Sequence, residues 1–478
     1  MVTKAALSKT LNEVEIGFQK CWNVLKSFKE KQSKQGSVEE MLEFQYVLAS
    51  ALFQLDEIYR ALSQERIKII ERKHELSPDW LKSRLRAIAK HQDTLKRVMS
   101  IGRALGDSFA WPFYRNNRES LEKHFQHEKI PHTPPGIGGR GELEFIKRIK
   151  HINGHMVLFH GITTFLRLGD VSLIDLKNLT ITAIGDLKTK RIGDNQLRIS
   201  LIFLGPNLPD KIPIDIKDSP ETSNAERLPP TMEQNLIKQL RKMEDSFVAP
   251  TVDSKERFQD TTQINALVGV ASALKRSKVT YERAGEGLLL VGFKNRTSKT
   301  FASKFLGQSK IDLNKLFQHI PGKVQEMVDR TQVGTSSNTN SLFLGHLSTE
   351  VIYGTTPVFW WPLLPTDFIQ RIIFQDIIIT TIYNPAHLIK KLRELGFDVE
   401  IVGSQGHLVI SKGLGEGKLQ FAEMGHIRNL VQNYLMSEDA VIALVENILG
   451  KIKAGEIPLN SNILLTIQQI YDSDFDAI

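Results

Sequence analysis

The chain has 478 residues, 41% of them hydrophobic and 24% charged, the balance of a soluble globular protein long enough for two or three domains. One cysteine, Cys21, excludes an internal disulfide and a cysteine-based zinc site, and no run of about 18 uncharged apolar residues offers a membrane span. The net charge of +8 favours an anionic partner. The first residues, MVTKAALSKTLNEVEIGFQK, lack the apolar core of a signal peptide, so a cytoplasmic location with no membrane partner is expected.

The first third reads as helical. Leu48, Leu52, Leu55, Tyr59 and Leu62 recur at spacings of four and three, one stripe of a helix. Ser77-Pro78 supplies a cap and a first helical residue, and Leu81, Leu85, Ile88 and Leu95 mark a second amphipathic helix. Residues 1–130 are therefore expected to form a basic helical hairpin or small bundle, whose stripes are core residues or a homodimer surface. Between Arg66 and Arg103 stand eleven Lys or Arg against four Asp or Glu. Lys82, Arg84 and Arg86 in that run are candidates for contacting a nucleic-acid backbone; a solvated helical face is the plainer alternative.

The stretch IPHTPPGIGGRG, ending at Gly141, reads as a hinge: it resembles a phosphate-binding loop, but no Gly-Lys-Ser/Thr follows and no strand precedes it. Glu142–Ile149 is predicted as a short amphipathic helix, and 155–168, 170–175, 179–188 and 196–204 as strands. Residues 206–231 read as a surface excursion. Helices are expected over 231–247 and 262–276, a strand pair over 279–293, and a linker over 332–341. Residues 340–478 read as a mixed α/β module of unassigned role. Its Phe359-Trp360-Trp361, flanked by prolines, packs a loop onto a core or stacks on bases.

The chemistry centres on GDVSLID, residues 169–175, and IGDLKTK, residues 184–190. Asp186 and Lys188 share one face of a strand, and Asp170 opens the neighbouring one. Asp175 lies at an odd offset from Asp170 and suits a turn with Asn178. Side-by-side carboxylates repel and cost several kcal/mol (~3 or more) to desolvate unless protonated or neutralised. Hard oxygen ligands without cysteine indicate Mg²⁺ or Mn²⁺. The alternatives are an exposed Asp186–Lys188 ion pair beside a turn aspartate, and a metal site from His151, His155 and His160, for which nothing sets the three on one face.

A helix with an early Glu, a strand opening Gly-Asp and a strand ending Asp-x-Lys resembles the PD-(D/E)XK, restriction-endonuclease-like nuclease superfamily. The resemblance spans roughly residues 141–293 and implies an αβββαβ core within a domain over 131–330. It assigns Asp170, Asp186, Lys188 and Glu142 (or its neighbour Glu144) to catalysis, with Asp170, Asp186 and Glu142 holding Mg²⁺ or Mn²⁺. Lys190 and Arg191, where the strand emerges, would join the nucleic-acid contacts. The second acid is Asp where the superfamily more often has Glu, and the excursion after Leu204 interrupts the core. The resemblance implies a metal-dependent endonuclease acting on DNA, in defence against foreign DNA or in repair. Two alternatives stay open: a non-catalytic nucleic-acid-binding or assembly protein on a nuclease-like scaffold, and a helical protein that binds other proteins.

Overall fold

The computed structural model describes residues 2–30, 37–115, 117–125, 136–178, 180–191, 197–204, 213–216, 223–224, 263–295, 300–306, 342–349, 356–361, 363–402, 407–414, 417–421 and 425–456, with 322, 326 and 351. The helix expected over 231–247 and the linker over 332–341 lie outside them. The described chain mixes helices with antiparallel sheets. None of its helices is long and apolar enough to cross a membrane.

Three long helices come first: α1 (Lys4–Glu30), α2 (Val38–Glu71) and α3 (Pro78–Tyr114). Helix α1 buries Leu7, Leu11, Val14, Phe18, Cys21, Trp22 and Leu25, a stripe at helical spacing that faces α2 and α3. Ser37 and Glu40 close a capping box on α2, and Ser77 accepts from Trp80 N at the start of α3. The stripe through Leu48, Leu52, Leu55 and Leu62 turns inward and is buried. That apolar surface is used up inside the bundle, the core role expected of such stripes.

Short helices α4 (Arg118–Phe125) and α5 (Ile137–Arg148) lead into the sheets. Helix α5 begins five residues earlier than the pattern predicts, because the glycine cluster is its first turn and not a hinge. A Cβ at Gly141 would lie 2.7 Å from Thr189 Cβ, so the glycine allows α5 to press onto the strand carrying Thr189.

Strands β1 (Ile149–Ile152), β6 (Pro213–Ile216) and β7 (Ser223–Asn224) form one small sheet, which gives part of the expected excursion a strand role. Strands β2 (Met156–Phe159), β3 (Val171–Asp175), β4 (Thr180–Arg191) and β5 (Leu197–Leu204) form an antiparallel sheet in sequence order. The strand predicted over 155–168 stops at Phe159, where His160–Ile162 form a 3-10 turn and Thr163 N–H donates back to His160 O. The edge of β2 is covered by Gln45 of α2, whose amide donates to Val157 O and accepts from Phe159 N at 2.9 and 2.7 Å.

The resemblance places the later helix and strand of the nuclease core at 262–293. They fold elsewhere: α6 (Ile264–Ala273) packs on β8 (Val279–Ala284) and β9 (Leu288–Lys294), which join a second sheet with β10 (Phe343–His346) and β11 (Ile377–Tyr383) in the order β10-β11-β9-β8. Almost every position of β9 is buried. Such a strand needs a neighbour on each edge, and IIITTIY of β11 supplies the second. The helix and strands over 262–293 thus do not join the sheet of β2 to β5.

The three segments expected as domains share one continuous cluster of buried side chains. Buried Asp107 of α3 accepts from Thr164 N and Oγ1 at 2.6 Å and from Val351 N at 3.2 Å. Phe359 and Trp361 are fully buried, and Trp360 donates its indole N–H to Ser108 O at 2.7 Å. These aromatics fasten the carboxy-terminal segment to the bundle, which leaves none of their faces open for base stacking.

Candidate active site

A β-bulge sets the geometry. Between the pairs Leu173–Ala183 and Ile174–Ile181, Thr182 is an extra residue on β4. Beyond it Val171 pairs with Gly185, which brings Asp170 alongside Asp186 on one face; the turn-side register carried on unchanged would put them on opposite faces. Gly169 (φ 67°) turns the chain into β3 in a left-handed conformation, and Asp170 N–H donates to Gly185 O at 2.8 Å.

The Asp170 carboxyl accepts from Leu187 N–H at 2.7 Å and lies beside that of Asp186. Burial first, then Asp186, pushes Asp170 up to about 7. Lys188 Nζ stands 2.6 Å from Asp186 Oδ2, with half of the lysine side chain open to solvent. Glu142 reaches the group from α5, which packs on β4; it is 4% exposed. Burial, then Asp170 and Asp186, raises it to about 8 against the opposing pull of Lys188. Glu142, Asp170 and Asp186 thus lie within electrostatic reach of one another, with Lys188 opposing their charge.

Among the described residues no set of three or more His, Cys, Asp or Glu side chains converges to hold an ion. The donors suit a hard divalent cation in kind, since burial and mutual repulsion raise both Asp170 and Glu142, which marks a shortage of positive charge. Asp170 and Asp186 are the two that adjoin.

Glu144, the alternative to Glu142, pairs instead with Arg148 at 3.2 Å near the surface. Asp175 closes the β3–β4 turn, accepting from Lys177 N at 2.9 Å and Asn178 Nδ2 at 2.7 Å. The three histidines do not form a site: His151 accepts from Gly154 N, His155 lies against Asn153 O, and His160 is fully buried. Lys190 and Arg191 are exposed on β4 just beyond Lys188.

Of the candidates on α3, Lys82 and Arg86 are exposed, whereas Arg84 is not available. Its guanidinium binds Glu65 Oε1 at 2.5 and 2.8 Å and donates to Val2 O at 3.3 Å, tying the helices together. At 1.5 Å per residue, Arg84 also lies about 45 Å along α3 from Tyr114, the end of the helix that meets β3.

Sequence reasoning missed a buried polar group behind Asp170. Ser172, 0% exposed, is bonded to Tyr114 OH at 2.5 Å and His160 Nε2 at 2.6 Å. The available signal was a serine amid the apolar residues of VSLID. Burial lowers His160 to about 4, which keeps it neutral.

Compared with known proteins, the chain matches no family model, no curated protein and no solved structure.

Proposed function

We propose that the chain is a divalent-cation-dependent endonuclease hydrolysing phosphodiester bonds in nucleic acid, with DNA as the first substrate to test. The observation that carries the reading is the meeting of Asp170, Asp186 and Lys188 on one sheet face with Glu142 over them. A sheet under pressure for stability alone gains nothing from crowding three carboxyls beside one lysine, and the upward shifts of Glu142 and Asp170 have burial and that crowding as their causes.

Asp170 and Asp186 would hold Mg²⁺ or Mn²⁺, with Glu142 bound directly or through water. The ion, when bound, supplies Lewis-acid stabilisation of the charge that builds on the phosphoryl oxygens. Lys188 is the mobile member: half exposed and one strand step from Asp186, it can swing its ammonium to the scissile phosphate or to the attacking water. Leu187 N–H holds the Asp170 carboxyl in place. Lys190 and Arg191 lie where the backbone flanking the cut would pass, and Lys82 and Arg86 would meet a more distant stretch of the same polyanion.

The test is incubation of the purified protein with plasmid and single-stranded DNA, with Mn²⁺ or with chelator. Cleavage should require the ion. Asp170→Asn and Lys188→Ala should each lower it at least a hundredfold while changing DNA affinity in chelator less than threefold. An absence of ion-dependent cleavage by the wild type, with DNA binding intact, would leave the non-catalytic binding protein as the reading.

A further inference from the structure

The buried side chains behind Asp170 form a relay whose direction is fixed at both ends. Leu168 N–H, which can only donate, points at His124 Nδ1 at 3.0 Å. His124 therefore carries its proton on Nε2 and gives it to Tyr114 OH at 3.1 Å. Gly169 C=O, which can only accept, lies 3.0 Å from His160 Nδ1, so that nitrogen carries the proton and His160 Nε2 must accept from Ser172. Tyr114 OH then donates to Ser172 Oγ. The chain of donors runs from Leu168 N–H round to Gly169 C=O, so both of its ends lie on the Leu168–Gly169 backbone just before Asp170. The backbone N–H of His160 also donates to Asp170 O at 2.8 Å.

We propose that this relay is a positioning device: by clamping the left-handed Leu168–Gly169 turn, His160 aims the Asp170 carboxyl at Leu187 N–H and Asp186, and is a positioning residue of the candidate active site. The proposal rests on the endonuclease reading for its purpose, but its geometry is tested without cleavage. Buried, fully satisfied hydrogen-bond networks specify one arrangement because each alternative strands a polar group. Tyr114 anchors the relay to α3 and His124 to α4, so the bundle reaches the site through it. None of these residues touches the reacting atoms.

The deciding measurement is hydrogen exchange at Leu187 N–H, whose acceptor is the Asp170 side chain itself. His160→Asn keeps a donor at the Nδ1 position, whereas His160→Gln keeps only an acceptor at the Nε2 position. Leu187 protection should fall at least tenfold in His160→Gln and less than threefold in His160→Asn, with the other amides of β3 and β4 little changed. Unchanged protection in His160→Gln, or an equal loss along both strands, would overturn the proposal. Should either variant fold poorly, nitrogen-15 spectra of the wild type serve: His160 should carry its proton on Nδ1 and His124 on Nε2, and the reverse assignment would sink the relay. Mn²⁺ calorimetry on the same samples separates the two ideas. A wild type that binds no Mn²⁺ counts against the endonuclease, while the Leu187 result still decides the positioning role.

Discussion

Replacing Glu142 by glutamine removes one of the three acids while keeping its size. The wild-type group sits at about 8 in the fold against an ordinary 4.5, because burial and the neighbouring carboxyls disfavour its charge. A raised acid has a definite sign: below 4.5 it is protonated in folded and unfolded chains alike and contributes nothing. As pH rises from 4.5 to 8 the unfolded chain ionises freely, the folded chain resists, and stability falls. Each pH unit of that window is worth about 1.4 kcal/mol, so the full cost above pH 8 approaches about 5 kcal/mol as an upper bound. Glutamine does not titrate. Glu142→Gln should match the wild type within about 1 kcal/mol at pH 5 and exceed it by several, up to about 5 kcal/mol, at pH 9. Urea unfolding at pH 5, 7 and 9 in chelator reads this directly. Mn²⁺ at pH 9 should then restore the wild type more than the variant, since the ion replaces the missing positive charge. A variant less stable than the wild type by the same margin at every pH would refute the crowded-acid account and leave Glu142 an ordinary packing residue.

Arg84→Ala should cost about 1–3 kcal/mol of stability, since it strands the half-buried Glu65 carboxylate, and leave the salt dependence of DNA binding untouched. Lys82→Ala with Arg86→Ala should do the opposite, lowering the slope of log affinity against log salt by about one for each phosphate no longer neutralised. Gly141→Ala should destabilise by about 1–3 kcal/mol by forcing α5 off Thr189, and reduce cleavage because Glu142 moves with the helix. The control is Gly413→Ala, where an added Cβ meets nothing within 4 Å; thermal unfolding should show it within about 0.5 kcal/mol of the wild type.

The features legible along the chain were local ones. Helical stripes such as Leu48 to Leu62, the Ser77-Pro78 start of α3, the Asp175–Asn178 turn and the β3–β4 hairpin all follow from spacing and cap chemistry, which act within a few residues. The juxtaposition of Asp186 with Lys188 was legible for the same reason, since period two needs no partner strand. Only the tertiary structure decided the rest. Asp170 meets Asp186 because one extra residue, Thr182, shifts the register between strands, and no periodicity in either strand announces a bulge. Arg84 looks like any other lysine or arginine of its run until α2 brings Glu65 against it. Gly141 read as part of a hinge because its purpose, close approach to Thr189 of β4, belongs to a surface about fifty residues away. Strand β9 joined β11 and not the sheet of β2 to β5 because a strand buried at almost every position takes whichever edges bury it, a choice made by the whole chain.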